Sequence, residues 1–318
     1  MAKELRSGYT TGACAAAGVK ACFLFQAGED WNEIALTALD GTPLVIPVKA
    51  VVETPDGVRA EVIKFSGDDP DITNGVSVFT TVKMLDGHQG IVFRAGEGVG
   101  TVTKRGMSLP VGEPSINKGP RELIRRVVSE MTGREDFGAE VTIAIPEGVE
   151  LAKKTLNPVL GIEGGISVIG TTGVLRPMSE EAFKDSLVPQ IDVALASGED
   201  VLVFVPGKIG ERIALALGIS QAAIIETSNF IGFMLDRAAE RGAKGVLILG
   251  HTGKLVKIAA GVFHTHNRIA DARLETLAAY AAAEGLEQNG VRAVLASNTT
   301  EDAMERIAEA GLAPRVCG

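Results

Sequence analysis

Small and apolar residues run almost unbroken from Thr11 to Ala27, between a hydroxyl residue that can cap a helix and Gly28, which can stop one. Ala13, Cys14, Ala15, Ala16, Ala17 and Gly18 predict a helix that packs very closely on its neighbours. Alternating segments follow at 34–39, 44–48, 58–65, 76–84 and 90–95, broken by turn signals such as Asp40-Gly41 and Asp56-Gly57. A helix over 120–131, a strand over 139–145 and a further helix ended by Asn157-Pro158 complete an α+β first half.

The rhythm then changes. Short apolar strands at 166–170, 201–205, 222–226 and 245–250 alternate with helices at 179–197, 209–217, 229–241 and 253–263. That alternation predicts βαβ units and a parallel sheet with helices on both faces. Two more helices, 267–285 and 299–310, flank the segment VRAVLAS (291–297), which reads as a strand. The expected organisation is an N-terminal α+β domain over 1–165 and a Rossmann-like cofactor-binding domain over 166–318, divided in the Gly161–Gly165 cluster.

Composition narrows the classes. Hydrophobic residues make up 46% of the 318 and charged residues 22%, enough to bury substantial cores. No apolar stretch approaches the ~18–20 residues that span a bilayer, and the start of the chain has no signal-peptide core. Three widely spaced cysteines form neither a disulfide framework nor a metal pair, so a cytoplasmic protein is expected. A net charge of −9 with 4% aromatics argues against a nucleic-acid partner.

Ligands of open parallel sheets bind beyond the carboxyl ends of the strands. The loops there would be Thr171–Gly173, Pro206–Gly210, Thr227–Asn229 and His251–Gly253, all rich in Gly, Thr, Ser, Asn or His. Candidate cofactor contacts are therefore Thr171, Thr172, Gly173, Gly207, Gly210, Ser228 and Asn229. Glu226 joins them, since an acidic residue about 20 positions after a glycine turn, at the next strand tip, binds ribose hydroxyls. Gly207 and Gly210 open a helix whose free N–H groups suit a carboxylate or phosphate.

Two further patterns fail. Gly96, Gly98 and Gly100 are spaced GxGxG and run into TVT rather than a helix. GHTGKL has too few residues between its glycines for a P-loop, and Leu255 stands where a magnesium-holding hydroxyl belongs. Asp68, Asp69 and Asp71 read as a polar turn, and His251, His264 and His266 as hydrogen-bonding groups rather than metal ligands. No protein metal site is expected.

Several long blocks carry a resemblance over nearly the whole chain: RSGYTTGACAAAGVKA (6–21), SGDDPDITNG (66–75), GEGVGTVTKRGMSLPVGEPSIN (96–117), ELAKKTLNPVLGIEGGISVIGTTGVLRPMS (150–179), SNFIGFMLD (228–236) and GHTGKLVKIAAGVFHTHNRIADARLE (250–275). In order and spacing they resemble the cobalt-precorrin-5B C1-methyltransferase (CbiD) family. Two departures stand out, Lys208 where the glycine loop usually has Asn, and Glu226-Thr227 before SNFIGF. The resemblance implies methyl transfer from S-adenosyl-L-methionine to carbon 1 of a corrinoid tetrapyrrole in cobalamin biosynthesis, with the cobalt belonging to the substrate. A polycarboxylate substrate needs cations, and Arg176, Arg268 and Arg273, with His251, His264 and His266, are the candidate substrate contacts. The residues identify no general base and leave homo-oligomerisation open. The competing expectations are a nicotinamide-dependent oxidoreductase and a non-catalytic corrinoid-binding protein.

Overall fold

The computed structural model describes residues 5–87 and 89–318. The chain is mixed α/β and divides between Glu180 and Glu181 into two compact units.

In the first unit the glycine- and alanine-rich run forms the helix Thr11–Ala27. Thr10 caps it by accepting from the Ala13 N–H at 3.2 Å, and Gly28 ends it in the left-handed region at φ 73°. Residues 11–19 are all buried, so this helix has no wet face there. Small side chains make that burial feasible: a Cβ on Gly18 would stand 2.8 Å from Thr80 Oγ1. The helix packs on a five-stranded sheet ordered Ala50–Thr54, Gly57–Ile63, Ser77–Met84, Ala139–Ala144 and Ile91–Ala95, antiparallel except for the last pair. Val58, Ala60 and Val62 alternate inward along the second of these strands.

Short pairings carry this unit past residue 165. Gly165–Ile166 pairs with Gly98–Val99, and Val174–Leu175 pairs with Gly8–Tyr9. The segment expected as the first strand of the parallel sheet, 166–170, is therefore tied to the first unit instead. The GxGxG cluster serves that junction: Gly98 lies at φ 74°, and a Cβ on it would meet Ile145 O at 1.8 Å. Asn157-Pro158 opens the helical turn Asn157–Leu160 rather than ending a helix, with proline in the first turn, where it is tolerated.

The second unit holds a three-stranded parallel sheet ordered Ile224–Glu226, Val201–Val205, Gly245–Ile248. Leu202 to Val205 are buried without alternation, as in a strand covered on both faces. The expected helix 179–197 is broken at Pro189 into Glu180–Leu187 and Pro189–Ala196. VRAVLAS is not a strand. It lies mostly within the helix Gln288–Leu295, whose Val291 and Val294 pack with Leu277, Ala281, Ala303 and Ile307. That cluster is formed entirely by helices, so packing overrides the β-branched preference. No helix among the described residues is long and apolar enough to cross a membrane.

Candidate functional site

The carboxyl ends of the parallel strands open into a crevice of about 450 Å³. Pro206 to Gly210 form one wall, Gly250, His251, Gly253, Lys254 and Lys257 another, and Asn229, Thr265, His266, Asn267 and Arg273 the remainder. Two helices, Lys208–Ala216 and Thr252–Ala259, begin at this edge. The N–H groups of Lys208, Ile209 and Gly210 have no partner among the described residues. Gly207 is extended at φ 166°, a conformation open to any residue, and a Cβ there would meet nothing within 4 Å. What the glycine provides is open space in the crevice.

The charge balance is unusual. Lys257 is 1% exposed, yet its Nζ donates to Thr265 O at 3.2 Å, Asn267 Oδ1 at 2.7 Å and Ala270 O at 3.0 Å. Three donated bonds use the whole ammonium, and no carboxylate is among the acceptors. The neighbouring Asp271 is taken by Arg273 in a bidentate pair at 2.8 and 2.6 Å. Lys254 donates only to Pro206 O, at 2.9 Å, and burial holds its pKa below the ordinary lysine value. Lys208 bridges Glu211 at 2.8 Å and Glu226 at 3.2 Å.

Two histidines of the crevice, His251 and His266, are placed as donors. His251 Nδ1 accepts from the Gly253 N–H at 3.3 Å, which assigns the proton to Nε2, 2.8 Å from Glu301 Oε1. His266 Nδ1 accepts from the Arg268 N–H at 3.2 Å, again leaving the hydrogen on Nε2. Neither ring offers a free basic nitrogen.

Strain and an orphaned group mark the adjacent loop. Ser228 adopts φ 52°, rare for a residue other than Gly, Asn or Asp, and Thr227 Oγ1 is buried without a partner.

Residues 1–177 match the family described as CbiD, and residues 264–318 match its C-terminal domain. A protein from Methanocaldococcus jannaschii named cobalt-precorrin-5B C(1)-methyltransferase is 46% identical, over 98% of this chain and 86% of its own length. One of the same name from Moorella thermoacetica is 50% identical, over 96% and 84%. The chain belongs to the CbiD family. A solved structure of a cobalamin biosynthesis protein (cbiD) from Archaeoglobus fulgidus is 26% identical, with 85% of this chain and 84% of that one covered at a TM-score of 0.45.

Within this CbiD chain, Gly207, Gly210, Asn229, His251, His266 and Arg273 come together as lining of one crevice. Glu226 and Ser228 lie at the same strand edge without lining it. Register pairs Glu226 with Val205, directly before the glycine turn. Lys208 and Glu226 are ion-paired to each other. His264 packs its ring on Phe230 at 5.0 Å, and Arg268 is exposed; neither lines the crevice.

Thr171, Thr172, Gly173 and Arg176 are not on this edge, because 166–170 does not enter the parallel sheet. They belong to the first unit, where the Gly173 carbonyl accepts from Thr10 N–H at 3.0 Å and that of Thr172 from Leu39 N–H at 2.7 Å. Arg176 there pairs with Asp40 at 2.7 Å. Lys254 and Lys257 stand out in the sequence only as basic residues near the glycine-rich segments, with no role assigned in the site. Their signal was a lysine embedded in the apolar run LVKIAAGV, with a second lysine three positions earlier on the same helix face.

Proposed function

We propose that this protein methylates carbon 1 of cobalt-precorrin-5B with S-adenosylmethionine, giving cobalt-precorrin-6A in cobalamin biosynthesis. The observation that carries the activity is near full-length likeness, 44–50% identity, to proteins of that name. The cofactor reading adds the crevice: a three-stranded parallel sheet with a glycine turn after its central strand and an acidic residue at the tip of the next.

The residues fit such a donor. Gly207 leaves room, the three N–H groups at the start of Lys208–Ala216 suit a carboxylate, and Thr227 Oγ1 is an unused polar group beside them. When bound, the donor supplies a methyl group on a sulfonium, already a good leaving group. The chain's own task is to orient both reactants and exclude water, an effect that reaches roughly 7–11 kcal/mol at best. In this reading Lys254 and Lys257 attract the carboxylate end of the donor, Glu226 accepts from its ribose hydroxyls, and His266 donates a hydrogen bond. The corrinoid is the substrate, and its cobalt arrives with it.

Incubation with S-adenosylmethionine and cobalt-precorrin-5B should yield a product heavier by one methyl group; an unchanged mass would refute the activity. A nicotinamide enzyme would be told apart by unfolding experiments. At 100 times its dissociation constant S-adenosylmethionine should add about 2.7 kcal/mol of stability, and NADH should add none.

A further inference from the structure

We propose that the first unit carries the surface that receives the tetrapyrrole face of the substrate, around Tyr9, Val45 and Phe65. This rests on the corrinoid reading above. Two concavities, of about 590 and 400 Å³, lie on either side of these three residues and share them as lining. Val45 and Phe65 are exposed apolar side chains, and the Tyr9 and Phe65 rings stand 6.2 Å apart. Tyr9 gives its hydroxyl hydrogen to Ile63 O at 3.2 Å, so the ring contributes an apolar surface. A saddle with aromatic and aliphatic flanks suits a flat macrocycle.

The charges around it are arranged with one sign outward. Lys49 and Arg176 line the concavities, and the Arg6 guanidinium lies 5.7 Å from the centre of the Phe65 ring. Each is paired with a carboxylate, and in each pair the cation is the outer member. Side-chain exposure is 67% for Arg6 against 18% for Asp68, 58% for Lys49 against 15% for Glu61, and 63% for Arg176 against 21% for Asp40. In a chain of net charge −9, this face presents cations above recessed acids around an apolar floor. Peripheral carboxylates of a tetrapyrrole match that rim, as its ring matches the floor.

The test is calorimetric titration of the full-length protein with cobyrinic acid, a corrinoid with free carboxylates, and with its fully esterified form. Wild type should bind the acid more tightly than the ester. Val45→Asp, which sets a carboxylate in the saddle, should weaken acid binding by about one to two decades, the reach of one charge-assisted contact. Val45→Lys should not, and Phe65→Ala should weaken both forms. Both sites are at the surface, and unchanged affinity for S-adenosylmethionine would verify folding. Wild-type affinity for the acid in both Val45→Asp and Phe65→Ala would overturn this site while leaving the methyltransferase reading intact. Failure of wild type to bind either corrinoid would remove the substrate reading and this site with it.

Discussion

Among the described residues each unit buries one lysine, and the two are treated in opposite ways. Lys64 in the first unit, 3% exposed, donates to Asp71 and Ser66, both at 2.6 Å. Its charge is cancelled where it sits, and the pair pins the segment 66–75 to the sheet. Lys257 in the second unit donates only to neutral oxygens and shares the charge of Asp271 with Arg273, so part of its own charge remains available to the crevice it lines. Burying an ion without a counter-ion is costly. A lysine kept so at the mouth of a parallel sheet, beside Lys254, suits the anion proposed for this crevice. The first lysine is structural and the second is electrostatic.

That difference is easiest to break at Lys64. Lys64→Met strands Asp71 without its partner, and removing one member of a buried pair costs about 3–5 kcal/mol. Asp71 retains some solvent contact, so the lower end of that range is expected in denaturant titration. Burial pushes the Asp71 carboxyl up, but hydrogen bonds from Lys64 and Thr73 outweigh it and hold the group below its ordinary value of 3.8. Its stabilisation is therefore complete above 3.8 and lost as pH falls through the depressed value, and this arm of acid unfolding should shrink in Lys64→Met to the share that Thr73 supplies.

At the second lysine pair the effect moves from stability to binding. An anion needs Lys254 protonated. Because burial lowers that pKa, affinity for S-adenosylmethionine should be flat at neutral pH and decline with rising pH before the ordinary lysine value of 10.5 is reached. Replacing Lys254 with Ala should cost about 1.5–3 kcal/mol of binding and abolish that decline. Gly207→Ala sharpens the contrast further: its extended backbone tolerates alanine, so unfolding should shift by less than about 0.5 kcal/mol while the added methyl group obstructs the cofactor. Smallest of all is Arg176→Ala, which breaks an exposed pair with Asp40 and should alter stability by only about 0–1 kcal/mol.

Much of the crevice was legible because it follows from alternation. Apolar strands at 201–205 and 245–250 with glycine turns behind them place Gly207, His251 and Asn229 at one edge by topology alone. The helix at Thr11–Ala27 was equally legible, since both caps and its small-residue run are local features. Segment 166–170 misled because its apolar run resembles a buried strand. Only the long-range pairing of Gly165 with Gly98 tells which unit it joins. The same misreading placed Thr171–Gly173 and Arg176 at the edge of the parallel sheet, whereas they belong to the first unit. VRAVLAS failed for a related reason, since a helical cluster offers its valines no strand to pair with. Lys257 was hidden because a lysine's partners, and the absence of an acid among them, are facts of three-dimensional neighbours.

The central claim is that Lys257 places unneutralised charge where the cofactor carboxylate binds. It is tested most directly by titrating wild type and Lys257→Met with S-adenosylmethionine and with its decarboxylated analogue. Wild type should lose about one to two decades of affinity when the carboxylate is removed, and Lys257→Met should lose distinctly less, keeping only the share held by Lys254 and the helix N–H groups. If Lys257→Met still distinguished the two ligands as strongly as wild type does, the charge of Lys257 would have no part in recognising the anion, and the contrast between the two lysines would fall.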